Sequence, residues 1–349
     1  VGTPPYATRE ALRAALDVAE SPRADAQIDR LLDAASRSVE TLTHRIWYPT
    51  IATRYWTWPD AQYGTSYVLW LDDSELLSVT SLTSGGTTIT SAEYFLEPNR
   101  TGPPYNRIEL DRDEDAAFGG GDTPQRDITI AGTFGACDDT AVAGVLDGAI
   151  NSSVTTLQLA TGEAVGVGDL LILGTEYMQV TARALVDTTA NLGGSGLTAS
   201  KSDVTLTVAD GTLFAIGELL RVDSERMEVT DTAATSVYVR RAVDATVLAT
   251  HAATADIYAA RSYTVLRGQL GTTAASHSDD AAVTRHAYPG LISTLAIDEA
   301  LWALQSEQSG MARTIGEGEA ARQVTGSGIR ALREQVRNAH GRVMRKRVI

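Results

Sequence analysis

With 349 residues, 43% of them apolar and 21% charged, the chain has the composition of a folded protein and the length of two or three domains. A single cysteine, Cys137, excludes an internal disulfide and any multi-cysteine metal cluster. No apolar run approaches the ~18 residues of a membrane span, and the opening VGTPPYATRE lacks a basic-then-apolar leader pattern, so a soluble, non-exported protein is expected.

The net charge of −15 is unevenly distributed. Residues 137–260 hold 6 Lys and Arg against 16 Asp and Glu, whereas residues 322–349 hold 8 basic residues and one acid, Glu334. A body of this sign repels nucleic acid, and the basic tail calls for a partner of opposite charge.

In chain order, Thr8 is placed to cap a short helix with Leu12, Ala15, Leu16 and Ala19 on one face, ending at Ser21-Pro22. Helical spacing resumes at Ile28, Leu31, Leu32, Ala35, Val39, Leu42 and Ile46, which predicts a second helix running to Pro49. From Arg54 the period becomes that of strands, in RYWTW, YVLWL, ELLSVTSL, EYFLEP, NRIEL and DITIAGTFG. Gly85-Gly86 reads as a hairpin turn, and the strands predict one small, mostly antiparallel sheet that the two helices cover.

Beyond Cys137 the chain repeats itself. GDLLILGTEYMQVT (168–181) returns as GELLRVDSERMEVT (217–230), an offset of 49, with Thr156/Thr205, Leu157/Leu206 and Gly162/Gly211 matched at the same offset. Val239, Arg241, Thr246 and His251 recur at a different offset, 26, as Val265, Arg267, Thr272 and His277. Both offsets follow if one copy is nested inside the other: module one is 154–181 with 263–285, and module two, 203–258, is inserted between its halves. Gly-rich NLGGSGLTASKSD and AARS are then expected to be the crossings.

After Pro289, Leu291, Ile292, Leu295, Ile297, Leu301, Trp302 and Leu304 make a helix apolar nearly all round, expected in a core or interface. SGMARTIGEGEAARQVTGSG is read as mobile. A last helix carries Ile329, Leu332, Val336 and Val343 on one side and Arg330, Arg333 and Arg337 elsewhere.

Catalytic signatures are weak. FGGGD, VGVGD and LGGSG lack the strand, helix and lysine of a phosphate loop and read as turns. The five histidines lack zinc spacing, although His277 and His286 are candidates to meet in space, and the repeated His251 and His277 read as structural positions. The matched Glu176 and Glu225 leave two readings open, a turn hydrogen bond or ligand binding. Trp47, Tyr48, Tyr55, Trp56, Trp58, Tyr63, Tyr67 and Trp70 form either a stacking platform or, as favoured here, core and subunit interface.

The order of ASRSVETLTHRIWYP, LWL, LLSVTSLTSGGTTIT, EYFLEP, PYNRIEL and DITIAGTFGA, then a long apolar helix, resembles the head-tail connector (adaptor, head-completion) proteins of long-tailed bacteriophages. The resemblance covers about residues 7–136 and 287–349. It implies a helical connector core with a small antiparallel sheet; this sequence departs from that pattern by an inserted all-β region of two nested duplicated modules, so the fold class expected for the whole chain is α+β. Its domains are 1–136, the N-terminal helices and sheet; 137–286, the insertion; and 287–349, the C-terminal helices and tail. The implied role is a structural virion protein of the neck, made in the host bacterial cytoplasm, not an enzyme and without a cofactor. It forms a dodecameric ring between the portal protein and a stopper or tail-completion protein, with the major capsid protein as a further contact. Packaged DNA passes through the lumen without sequence recognition. Portal docking falls to Arg330, Arg333, Arg337, Arg342, Arg345, Lys346 and Arg347, and ring or core packing to Trp47, Leu291, Leu295, Leu301 and Trp302. The alternative is a tail or baseplate carbohydrate-binding protein acting through the β insertion.

Overall fold

The computed structural model describes residues 3–16, 22–59, 65–100, 102–308, 314–315, 322–323 and 327–342. The chain forms two compact units, one of Val1–Ser36, Thr140–His286 and Ser293–Ile329, the other of Arg37–Asp139, Ala287–Ile292 and Arg330–Ile349. No helix among the described residues is long and apolar enough to cross a membrane.

Helix α1 (Arg9–Leu16) is capped by Thr8, whose hydroxyl accepts from the Ala11 N–H at 3.2 Å. Arg9 donates to Asp29 (2.8 Å) and Arg13 to Asp25, tying α1 to the first turns of α2 (Pro22–Thr43). Helix α2 ends earlier than its apolar spacing predicts. His44 takes a left-handed conformation (φ 53°), and the Ile46 carbonyl accepts from Ala136 N–H instead of continuing the helix, leaving Ile46 exposed.

Seven strands follow: β1 (Thr50–Trp56), β2 (Val68–Trp70), β3 (Leu76–Ser84), β4 (Thr87–Ile89), β5 (Tyr94–Glu97), β6 (Arg107–Leu110) and β7 (Ile128–Phe134). They make two antiparallel sheets rather than one, in the orders β1-β7-β3-β4 and β2-β6-β5. Gly85 and Gly86, at φ 56° and 81°, turn β3 into β4 with Ser84 opposite Thr87, the two-residue loop that suits strand twist. Leu69, Leu76, Ile108, Ile128, Ile130 and Phe134 close a core shared by both sheets.

The other unit is dominated by a ten-stranded sheet in the order β12-β15-β14-β13-β16-β11-β10-β17-β8, with β9 paired to β16. Its strands are β8 (Thr140–Val145), β9 (Thr156–Gln158), β10 (Leu170–Leu173), β11 (Glu176–Asn191), β12 (Thr205–Thr207), β13 (Leu219–Val222), β14 (Glu225–Ala233), β15 (Ser236–Arg240), β16 (Asp256–Leu266) and β17 (Ala282–His286). The repeat is explicit in the register. Leu171 pairs with Met178 and Leu173 with Glu176, as Leu220 pairs with Met227 and Val222 with Glu225; Val180–Val265 is matched by Val229–Val239. Each copy closes its own core, one around Leu171, Met178, Val180, Tyr263 and Val265, the other around Leu220, Met227, Val229, Val237 and Val239.

The crossings differ from expectation. Strands β11 and β16 pair with each other and carry the chain out to module two and back, with β9 and β13 on the other edge of β16, so AARS lies inside a strand. Leu192 and Leu197 of the Gly-rich stretch are buried in the second core. Ladder hydrogen bonds satisfy the crossing backbone, which a flexible linker would leave to water.

Helix α3 (Gly290–Gln308) buries Ile292, Leu295, Ala296, Ala300 and Leu304. Two-residue strands β18 (Thr314–Ile315) and β19 (Arg322–Gln323) pair, and α4 (Ser327–His340) ends the described chain; the rest of the stretch read as mobile lies outside the described residues. An α+β fold with a helical connector core is therefore corrected: about 36% of residues are strand and 20% helix, and antiparallel sheets build the architecture. The physical reason is that the sheets of the smaller unit close a core from their own strands, while α1 and the start of α2 belong to the unit of the β modules.

Candidate functional site

The repeated residues converge on two buried clusters, one per module. Glu176 stands at the start of β11 and Glu225 at the start of β14, each side chain fully buried. Glu176 Oε1 accepts from Arg267 Nε (2.7 Å) and Gly268 N–H (3.0 Å); Oε2 accepts from Arg267 Nη2 (2.8 Å) and Ala275 N–H (2.9 Å) and lies 3.0 Å from His277 Nε2. Glu225 repeats every contact at nearly the same distances, with Arg241, Ala242, Ala249 and His251. The arginines are saturated as well. Arg267 Nη1 donates to the carbonyls of Asn151 and Val154 and Nη2 to Ala275; Arg241 does the same to Thr198, Asp203 and Ala249.

Burial opposes ionisation of both glutamates, but the bonds from arginine, backbone N–H and histidine outweigh it and hold each carboxyl at about 2. A carboxylate so bound, with every arginine N–H engaged, is a poor proton carrier near neutrality and offers no group to a substrate. Each cluster clamps the loop after one strand onto the hairpin before another. The turn-bonding reading of Glu176 and Glu225 holds, with an ion pair added to it. The two clusters share no residue, so they do not form one pocket. One difference separates them: Asp223 reaches His251 Nδ1 at 2.7 Å, and the matching residue in module one is Gly174.

Sequence reasoning saw the recurrence of Arg241 and Arg267 but did not join them to the glutamates. The available signal was the recurrence itself: a glutamate repeats at offset 49 and an arginine at offset 26, which marks both as parts of the module without pairing them.

The remaining candidates are dispersed. Arg330, Arg333 and Arg337 are exposed on α4, and Arg333 donates to Ser38 at 3.2 Å. Arg342 instead turns to Glu75 at 3.5 Å, and Arg345, Lys346 and Arg347 lie outside the described residues. Trp47 is buried, with its indole N–H on Thr43 and its ring edge-on to His340; Leu295 is buried, Leu291 and Leu301 are half-buried, and Trp302 is 45% exposed. The aromatic group does not form one face: Trp47, Tyr48 and Trp58 are core, Tyr55 is exposed, and Tyr63 lies outside the described residues. FGGGD packs on the β3–β4 turn, where Gly119 N–H meets Ser84 and Gly121 N–H meets Asp127. Burial pushes the Cys137 thiol up to about 11. Among the described residues no three His, Cys, Asp or Glu side chains are grouped to hold a metal ion, and His277 and His286 form no such group.

No family model, curated protein or solved structure matches the chain.

Proposed function

We propose that the chain is a structural, non-catalytic virion protein: a ring-forming adaptor at the head-tail interface of a bacteriophage, seated between the portal protein and a stopper or tail-completion protein. The observation that carries this reading is charge separation. Helix α4 exposes Arg330, Arg333 and Arg337 on a chain of net charge −15, and a head-to-tail ring or a portal contact needs two unlike surfaces on each subunit. The order of the flanking motifs supports the same role, and the reading does not depend on a helical core. The β modules, held by internal ion-pair clamps, are then a rigid decoration that reaches neighbouring subunits, capsid or tail. An acidic lumen lets packaged DNA slide, since phosphate contacts would hold it.

The test mixes the purified chain with the portal protein of the same genome and images the product by electron microscopy. A ring of this chain, twelvefold or otherwise closed, beneath the portal is expected. Arg330→Glu, Arg333→Glu and Arg337→Glu together are expected to abolish the association while leaving the protein folded, because all three side chains are exposed and the bond from Arg333 to Ser38 lies at the surface. Persistent monomers beside intact portal rings overturn the reading and move the functional centre to the β insertion, which glycan-array binding would then interrogate.

A further inference from the structure

Within the smaller unit, a cavity of about 210 Å³ opens beside the end of α2, with Phe134 in its lining and three arginines, Arg45, Arg54 and Arg342, around it. Two of these face an acid: Arg45 Nε lies 3.1 Å and Arg342 Nη2 3.5 Å from the buried Glu75 carboxylate, an ion-pair distance at which Arg45 Nε makes no hydrogen bond. A second acid of the lining, Glu40, accepts from Arg37. Arg54 differs. Its guanidinium stacks on the Phe134 ring at 4.3 Å, and no hydrogen bond or ion pair joins it to another described residue. It also lines an adjoining, more open groove of about 690 Å³, where Arg126 lies over the Tyr55 ring at 5.8 Å.

A guanidinium carries five N–H donors in a planar fork, and no nitrogen of Arg54 is among the buried, unpartnered side-chain atoms, so its donors stay within reach of solvent and of a solute. Burial lowers the pKa of Arg54; Asp73 opposes that and the like charge of Arg342 adds to it. An aromatic ring can hold the flat face of the guanidinium but supplies no acceptor for its edge. The edge of the fork is therefore available to a pair of anionic oxygen atoms from a bound solute. With a net charge of −15, the protein repels extended polyanions, so selection by the cavity favours a single small group over nucleic acid.

We propose that Arg54, on its Phe134 platform between the smaller cavity and the more open groove, is a binding site for one oxyanion group, a carboxylate or a phosphate. The group is either a free anion or is carried on an acidic peptide side chain lying in the open groove. Arg54 supplies the bidentate fork, and Arg342 adds positive potential from the far side of the cavity. Asp73, which lines both cavities, weakens the site by like-charge repulsion of the anion.

The test is calorimetric titration of the whole chain at low salt with two probes, inorganic phosphate and an N-acetylated, C-amidated tetra-aspartate peptide, with tetra-asparagine as control. Saturable binding of either anionic probe is expected, and Arg54→Ala should weaken it about tenfold or more by removing charge-assisted bonds. Arg54→Lys keeps the charge without the fork and should recover only part of the affinity. Asp73→Asn should tighten binding, a gain that a merely structural role for Arg54 would not produce. Phosphate binding alone identifies a free-anion site; peptide binding alone identifies a docking point for an acidic segment. Absence of saturable binding to both probes overturns the proposal, as does equal binding by wild type and a folded Arg54→Ala. Charge reversal on α4 leaves Arg54 and Phe134 intact, so saturable binding persists in that variant, and the site and the adaptor role fail or survive separately.

Discussion

Glu176 and Glu225 are charged side chains in places that exclude water, and each is held there by one arginine, one histidine and two backbone N–H groups. Removing one partner from such a buried pair strands the other charge, so Glu176→Gln and Glu225→Gln are each expected to cost about 3–5 kcal/mol in urea unfolding. Because the clusters share no residue, the double variant should cost the sum of the two to within about 0.5 kcal/mol. Acid titration gives an independent check. Both carboxyls sit at about 2 in the folded chain against an ordinary 4.5, so their contribution is complete above pH 4.5 and is lost as pH falls toward 2. Asp169 works in the opposite sense. Burial raises it to about 6 from 3.8, against a hydrogen bond from Gly166 and the charge of Arg285, so its cost to stability grows as pH rises from 3.8 through 6. Asp169→Asn is expected to remove that slope from melting temperatures measured between pH 4 and pH 7.

At the scale of elements, the two copies diverge where one of them is covered. In module one the turn Gly166–Gly168 is buried beneath the N-terminal segment: Glu10 Oε2 accepts from Val167 N–H at 2.7 Å, and Val167 carbonyl accepts from Arg9 N–H at 3.0 Å. In module two the turn has the same internal hydrogen bonds, Gly217 N–H to Val229 and Glu218 N–H to Ala215, yet Ile216 is 61% exposed where Val167 is 6% exposed. A single methyl accounts for part of the difference. A Cβ at Gly166 would lie 2.5 Å from Glu10 Oε2 and 2.7 Å from Thr8 Cβ, and module two carries Ala215 at this position. Gly166→Ala should therefore unseat α1, costing about 1–3 kcal/mol and speeding hydrogen exchange at the Val167 amide. Full protection of that amide in the variant would contradict this account. The helical periodicity of α1, α3 and α4 was legible in the sequence, but the expectation that α3 is buried nearly all round was not met: it buries Ile292, Leu295, Ala296, Ala300 and Leu304 and leaves Trp302 45% exposed. The end of α2 was not legible, since apolar spacing at Leu42 and Ile46 continues past His44, where the backbone turns left-handed.

For the whole molecule, nesting predicts that module one folds without module two. Val186 pairs with Ala259 between β11 and β16, so residues 187–258 can be replaced by an Asn-Gly hairpin turn. No residue of the first core is removed by this deletion. The shortened chain is expected to keep a cooperative unfolding transition, with a moderate loss because Glu218 no longer accepts from Gly162 N–H and Arg261. Loss of cooperativity would show that the two cores depend on each other.

The duplication, its two offsets and the nested order of the copies were determined by the sequence itself, because paired strands must place matching apolar residues on one face and a shift of one residue would expose them. The same rule located the strands and the Gly85-Gly86 turn. Only the tertiary structure decided which charges meet: Glu176 and Arg267 are far apart along the chain, and nothing in local spacing links them. Tertiary structure also decided that the strands of the smaller unit close two sheets around one core, that the crossings are hydrogen-bonded strands of the large sheet, and that Arg54 stands on Phe134. Local periodicity records which face of an element is buried. The partner that buries it is chosen by contacts between distant segments, and those are made only when the chain has folded.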